Sequence, residues 1–182
     1  MSDPASSCQA ALDDLGIGDA WLSARGLPEF EEARELVVAE VDTDGREHRL
    51  APACAGAWQR LKLAAAADGV DLRIGSGFRS IQRQHEIIQT KMQAGQALAS
   101  ILTLLAPPGF SEHHTGCALD IKTPGIKSLD PEFENSAAFQ WLSRHAASHG
   151  FVMTYPRGNA QGFQYEPWHW CYQTQDTPCA PT

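Results

Sequence analysis

No stretch of this sequence is apolar for anything near the roughly 20 residues that a membrane-spanning helix requires, so no such span is expected. Basic residues are scarce too. Fourteen Lys and Arg stand against 22 Asp and Glu. The formal net charge of -8 repels phosphate backbones and anionic lipid, which argues against nucleic acid as a partner. No two cysteines have the CxxC spacing, so neither a thioredoxin-like redox motif nor a cysteine-rich zinc knuckle is supported. The five cysteines (Cys8, Cys54, Cys117, Cys171, Cys179) fit two disulfides and a free thiol, or five reduced thiols. Met1 to Ala5 has neither the basic nor the apolar stretch of a signal peptide. As written, the chain is expected to be cytoplasmic, or to belong to the periplasm or cell envelope if a leader has been removed. There is no internal repeat and no low-complexity tract.

What is present is an ordinary globular composition. Of 182 residues, 43% are hydrophobic and 20% charged, enough apolar surface for one core and too little charge for a disordered chain. Residues 1–27 carry scattered Gly, Ser and Asp with short apolar stretches. They are expected to form an amino-terminal arm or short helix, leaving 28–182 as a single domain. Glu35 to Val41 and Arg46 to Leu50 flank an Asp-Thr-Asp-Gly turn and read as a hairpin. Trp58, Leu61 and Ala65 recur at helical spacing, which predicts a helix over 55–68 with Gly69 as its stop. Val70 to Ile74 reads as a strand. Ser80 is placed to cap a helix running to Gln93, and Leu98 to Leu105 reads as a short helix stopped by Pro107-Pro108. Cys117 to Lys122, Phe151 to Tyr155 and Trp168 to Tyr172 read as strands, and 136–149 as a helix with Phe139, Leu142 and Ala146 on one stripe. Strands interspersed with helices and joined by a hairpin indicate an α+β fold: a small antiparallel or mixed sheet with helices packed to one side.

Residues with chemistry cluster in Gly109-Phe-Ser-Glu-His-His-Thr-Gly-Cys-Ala-Leu-Asp120. Imidazole nitrogen and carboxylate oxygen, presented from a turn that runs into a strand, are ligands suited to zinc. His113 or His114 can supply the first and Asp120 the second. A third can come from Tyr165-Glu-Pro-Trp-His169, where Glu166 and His169 lie three residues apart. Two histidines and one carboxylate leave a fourth position open, the pattern of a catalytic rather than a structural zinc. A lone histidine is more often a packed or exposed side chain than a ligand; the combination is what marks a candidate metal site.

Three motifs stand in order between residues 70 and 173: Ser76-Gly-Phe-Arg-Ser80 with Gln84, Ser111-x-His113-x-x-Gly116-x-Ala118-x-Asp120, and Glu166-Pro-Trp-His169. In these the sequence resembles the VanY-type D-alanyl-D-alanine carboxypeptidases and the related L,D-carboxypeptidases, one family of zinc peptidases. The resemblance implies one Zn2+ per chain held by His113, Asp120 and His169, with Glu166 as general base. It selects His113 over His114 through the seven-residue spacing to Asp120. It also implies that Arg79, Gln84 and Ser111 hold the substrate, with Arg79 serving a terminal carboxylate or a carbonyl that gains negative charge. The implied reaction is hydrolysis of the terminal D-alanyl-D-alanine bond of peptidoglycan stem peptides or muropeptides. The alternatives are an L,D-carboxypeptidase trimming tetrapeptide stems, and a non-catalytic zinc-stabilised module that binds cell-wall peptides.

The sequence departs from that pattern at Cys117 and Cys171, where an aliphatic and a basic residue are expected. On a shared strand His169 and Cys171 project to one face. Cys171 can then approach the metal, pair with Cys117, or pack as a small apolar side chain. His145 and His149, four apart on a predicted helix, have no third ligand nearby and are expected to be exposed.

Overall fold

Two antiparallel sheets organise the chain in the computed structural model, which describes residues 4–173; Cys179 lies outside them. Strands β1 (Val37–Val41) and β2 (Glu47–Leu50) form the expected hairpin. It closes because Asp42 Oδ1 accepts from the backbone N–H groups of Asp44 and Arg46, and Gly45 takes a φ of 80° that a side chain would resist. The second sheet has four strands in the order β3-β4-β6-β5: β3 (Arg73–Ser76), β4 (Ala118–Lys122), β5 (Phe151–Val152) and β6 (His169–Tyr172). Every pairing is antiparallel, which resolves the antiparallel-or-mixed expectation.

Helices complete the α+β class: α1 (Pro4–Leu15), α2 (Asp19–Arg25), α3 (Pro52–Ala67), α4 (Ile81–Gln93), α5 (Leu98–Ile101) and α6 (Ala137–His145). Ser80 caps α4 as its position suggests, its hydroxyl accepting from the Arg83 N–H. On α3, Trp58, Leu61 and Ala65 face inward and are fully buried. They join Leu50, Ile74, Leu119, Trp141 and Phe151 in the main core, each large side chain contributing about 1.5–3 kcal/mol of transfer free energy. No helix among the described residues is long and apolar enough to cross a membrane.

Several boundaries move: α5 ends at Ile101, short of the expected Leu105, α3 starts at Pro52 and β1 at Val37, and three others have a visible cause. β3 begins at Arg73 because the Val70 N–H is taken by the Ala65 carbonyl in the terminal turn of α3. β5 stops at Val152 because the chain beyond it turns into the site: the Thr154 hydroxyl donates to Glu112 and the Tyr155 carbonyl accepts from the Glu166 N–H. The helix predicted over 136–149 is α6 to His145, then tightens into a 3-10 turn over Ala146–His149 that ends at Gly150.

Residues 4–25, where an arm or short helix is expected, form the two helices α1 and α2. Leu12, Leu15 and Ile17 are buried in a second core with Ile88, Phe110, Tyr155 and Phe163. Arg25 donates to the carbonyls of Gln161 and Leu102 and lies over the rings of Trp21 and Phe163. This amino-terminal segment therefore packs directly behind Tyr155 and Phe163, two residues that line the cavity described next.

Candidate active site

The site starts from a cross-strand pair. Asp120 on β4 lies directly opposite His169 on β6, with Ser76 of β3 opposite Asp120 on the other flank. Just before β4, residues Glu112–Thr115 make a 3-10 turn, whose three residues per turn send successive side chains in different directions. Gly116 ends that turn at a φ of 67°, where an added Cβ would come within 2.8 Å of the Ala51 nitrogen. Its carbonyl accepts from that same N–H. The glycine of the motif is thus required both by conformation and by close approach.

His113, Asp120 and His169 are buried, and their ligand-type atoms all lie within 4.8 Å of one another. Asp120 Oδ1 is 3.0 Å from His169 Nδ1 and 3.4 Å from His113 Nε2. The edge of a tetrahedron with metal bonds of about 2.0 Å is about 3.3 Å, so these separations suit one ion bound by all three. His113 Nδ1 is 2.7 Å from the Gly77 carbonyl, an acceptor, so that nitrogen carries the hydrogen. Its Nε2 is buried without any hydrogen-bond partner, an orphan lone pair that a metal would satisfy. Burial, with Arg79 nearby, lowers the His113 pKa to about 4 and keeps the ring neutral.

His114 has no lone pair to give. Its Nδ1 donates to the Arg79 carbonyl at 2.6 Å and its Nε2 accepts from the Gly109 N–H at 3.1 Å. His169 sits between two carboxylates, with Nδ1 against Asp120 and Nε2 2.8 Å from Glu112 Oε2. Burial disfavours its charged form, but the hydrogen bonds to Asp120 and Glu112 outweigh burial and raise its pKa to about 10. For Asp120 burial likewise opposes charge, yet His113 and His169 hold its carboxyl well below the usual range. The pocket therefore favours a positive charge at its centre, which a divalent ion supplies. Tyr155 stacks on the His169 ring at 4.7 Å.

Glu166 stands beside this group, its Oε2 4.0 Å from His169 Nδ1. Burial raises its carboxyl to about 7. It lines two adjoining cavities, one of about 20 Å³ and one of about 510 Å³. Arg79 lines both as well; its Nε is buried and unpartnered, and its guanidinium makes no ion pair among the described residues. Ser111 is buried and faces the smaller cavity, whose remaining wall includes Leu104, Leu105 and Phe163. Gln84 departs from its expected place. It lines neither cavity; its amide nitrogen donates to the Ala106 carbonyl at 2.6 Å, behind the small cavity's wall. The amide is buried on the inner face of α4 and supports that wall through its nitrogen, while its Oε1 is buried without a hydrogen-bond partner.

The remaining candidates resolve differently. Cys117 is a free thiol while Cys171 is disulfide-bonded, so the two do not pair with each other. Cys171 lies opposite Ala118, one alternation beyond His169, and is outside the metal group. His145 and His149 are half-buried rather than exposed, because the Trp141 ring lies against both. Glu112 and Thr154 escaped the sequence reading; the available signal was a carboxylate adjacent to a ligand, since ligating histidines usually donate to one.

The chain matches a family model described as VanY, D-alanyl-D-alanine carboxypeptidase, over residues 47–175. A D-alanyl-D-alanine carboxypeptidase of Enterococcus faecalis is 36% identical over 119 residues, covering 60% of this chain and 42% of that protein. The chain thus spans less than half the length of that relative. Among solved structures, the LdcB LD-carboxypeptidase superposes with a TM-score of 0.69 at 30% identity, covering 80% of this chain and 71% of the other. A mutant of the vancomycin resistance D,D-pentapeptidase VanY in complex with Zn(II) gives 0.61 at 31% identity, covering 80% and 82%. With the metal group and, apart from Arg46, the lining of both cavities inside the matched segment, the chain belongs to the VanY D-alanyl-D-alanine carboxypeptidase family of zinc peptidases.

Proposed function

We propose that this chain is a zinc-dependent D,D-carboxypeptidase acting on the terminal D-alanyl-D-alanine bond of peptidoglycan stem peptides. His113, Asp120 and His169 are its metal ligands, Glu166 its general base, and Arg79 with Ser111 the anchor for the substrate's terminal carboxylate. Residues 28–182 form the zinc peptidase domain and 1–27 its arm.

The observation that carries this reading is Arg79. A guanidinium with a buried, unpartnered Nε and no ion pair among the described residues, lining a cavity beside a metal group, calls for an anion from outside the protein. The cavity it shares with Ser111 measures about 20 Å³, room for little more than a methyl-sized group. A chain-terminal carboxylate matches the unpaired Arg79 and a continuing peptide offers no such charge, which favours an exopeptidase. Zinc, when bound, supplies Lewis-acid chemistry at the scissile carbonyl. Glu166 takes the proton of the attacking water and passes it to the leaving amine. The positive charge of Arg79 faces the developing negative charge. A bare binding module has no use for a buried carboxylate with its pKa raised beside the metal group.

An L,D-carboxypeptidase is the second reading, favoured by the larger cavity of about 510 Å³, which has room for a long side chain on the penultimate residue. Alanine release from a D-Ala-D-Ala pentapeptide and from the matching tetrapeptide, each also made with an L-Ala end and with a C-terminal amide, separates the readings. The expected result is faster release from the pentapeptide and none from the L-Ala or amidated peptides. Faster release from the tetrapeptide selects the second reading. Release of L-Ala at the rate of D-Ala, or indifference to the amide, refutes both.

A further inference from the structure

We propose that Glu112 is a positioning residue for the metal: it fixes which nitrogen of His169 carries the hydrogen and which way the ring is turned, so that Nδ1 faces the ion. The inference rests on the assignment of His113, Asp120 and His169 as ligands.

Glu112 is 3% exposed and lines neither cavity, so it touches no substrate. Nor does it belong to the group of ligand-type atoms. What it does touch is the far side of His169, with Oε2 2.8 Å from Nε2. The Thr154 hydroxyl donates to that same oxygen at 2.6 Å, so the carboxylate is held from behind while it receives the imidazole. An ionised carboxylate only accepts. Nε2 must therefore carry a hydrogen, which reserves Nδ1, on the opposite edge of the ring and 3.0 Å from Asp120 Oδ1, as the nitrogen that gives up its proton to a metal.

The contact on the ring face does not make this choice. Tyr155 stacks on the ring face, and a face contact is indifferent to a half-turn that exchanges nitrogen for carbon at each edge. The hydrogen bond to Glu112 is not, because the turned ring would place C–H against a buried carboxylate. Without Glu112, the carboxylate left on the ring is Asp120, at the atom the metal needs. The 3-10 turn explains how one short segment serves three purposes: Ser111 faces the small cavity, Glu112 the back of His169 and His113 the metal.

The test compares wild type, Glu112→Ala and Glu112→Gln by zinc affinity, measured in competition with a chromophoric chelator, and by NMR of the His169 Nε2–H in zinc-loaded protein. Outer partners of this kind are worth about 10–100-fold in metal affinity. Glu112→Ala should lose that factor and the downfield Nε2–H resonance. Glu112→Gln keeps an accepting oxygen, so it should stay within several-fold of wild type and retain the resonance, shifted upfield by the weaker neutral acceptor. Wild-type affinity in Glu112→Ala, or an equal loss in both variants, overturns the proposal. If Glu112→Ala fails to fold, an unmoved resonance in Glu112→Gln overturns it. A wild-type protein that binds no zinc removes the ligand assignment itself.

Discussion

Replacing Glu166 with Gln changes one buried group and has two separable consequences. In the metal-free protein burial raises the Glu166 carboxyl from 4.5 to about 7, with Asp120 adding to the rise and His169 opposing it. The folded state then holds this proton more tightly than the unfolded state. Stability is untouched by Glu166 below pH 4.5, falls as the pH climbs from there to about 7, and stays lowered above. The gap converts to about 3 kcal/mol at full ionisation. Gln cannot ionise, so metal-free Glu166→Gln should exceed metal-free wild type by up to about 3 kcal/mol at pH 8 and match it at pH 4. Urea denaturation with a chelator present, at both pH values, measures this. In zinc-loaded protein the same variant should keep its metal while kcat drops by about 10²–10⁴-fold, the usual contribution of a positioned general base. A stability difference that ignores pH would mean burial does not set this group's ionisation. Loss of zinc would make Glu166 a ligand, and an unchanged kcat would move the base elsewhere.

His113→Ala, Asp120→Ala and His169→Ala should each lose stoichiometric zinc by metal analysis, whereas His114→Asn should retain it, since both nitrogens of His114 are spent on backbone groups; zinc retained in His169→Ala would remove the proposed site. Arg83, Ile87 and Lys91 lie four apart on α4 and line the larger cavity with Arg46, whose acidic lining is confined to Asp120 and Glu166 at the metal group. Peptides carrying a carboxylate upstream of the scissile bond should therefore show a KM up to ~5-fold below that of their carboxamide twins, an advantage that shrinks in salt and in Lys91→Gln; equal KM values for the pair would show that the cations do not meet substrate.

Local signals carried much of the fold. The β1–β2 turn and the Ser80 cap are settled by side chains that bond to backbone a few residues away, and such spacing is visible in one dimension. The start of β3 was hidden because Val70, a good strand former, closes the terminal turn of α3 instead. The two amino-terminal helices were only half legible because their apolar residues are few, and their burial depends on Ile88, Tyr155 and Phe163 far along the chain. In the site, residue types alone left His113 and His114 equal, since what separates them is the Gly77 carbonyl under one and the Arg79 carbonyl under the other. The inward position of Gln84 on α4 follows from the helix's packing, which no motif states.

The spacing of the central motif follows from its backbone. Between His113 and Asp120 the chain must finish a 3-10 turn, reverse at a positive φ that only Gly116 accepts in contact with Ala51, and enter β4 in a register that sets Asp120 against His169. Strand side chains alternate, so one extra residue between Gly116 and Asp120 would carry the carboxylate to the opposite face and put the preceding residue's side chain where a ligand is needed. Two extra residues would restore the face but move the carboxylate about 7 Å along the strand, beyond reach of the histidines. Of the three residues in this stretch, Cys117 is half-buried and Ala118 and Leu119 are fully buried, with Ala118 packed against the disulfide-bonded Cys171. Neither Ala118 nor Leu119 can absorb a slip by moving into solvent. The separation of the two ligands is therefore fixed by the turn, the glycine and the strand register together, and the same register brings Glu112 behind His169, since the turn that aims one ligand also carries the acceptor for the other.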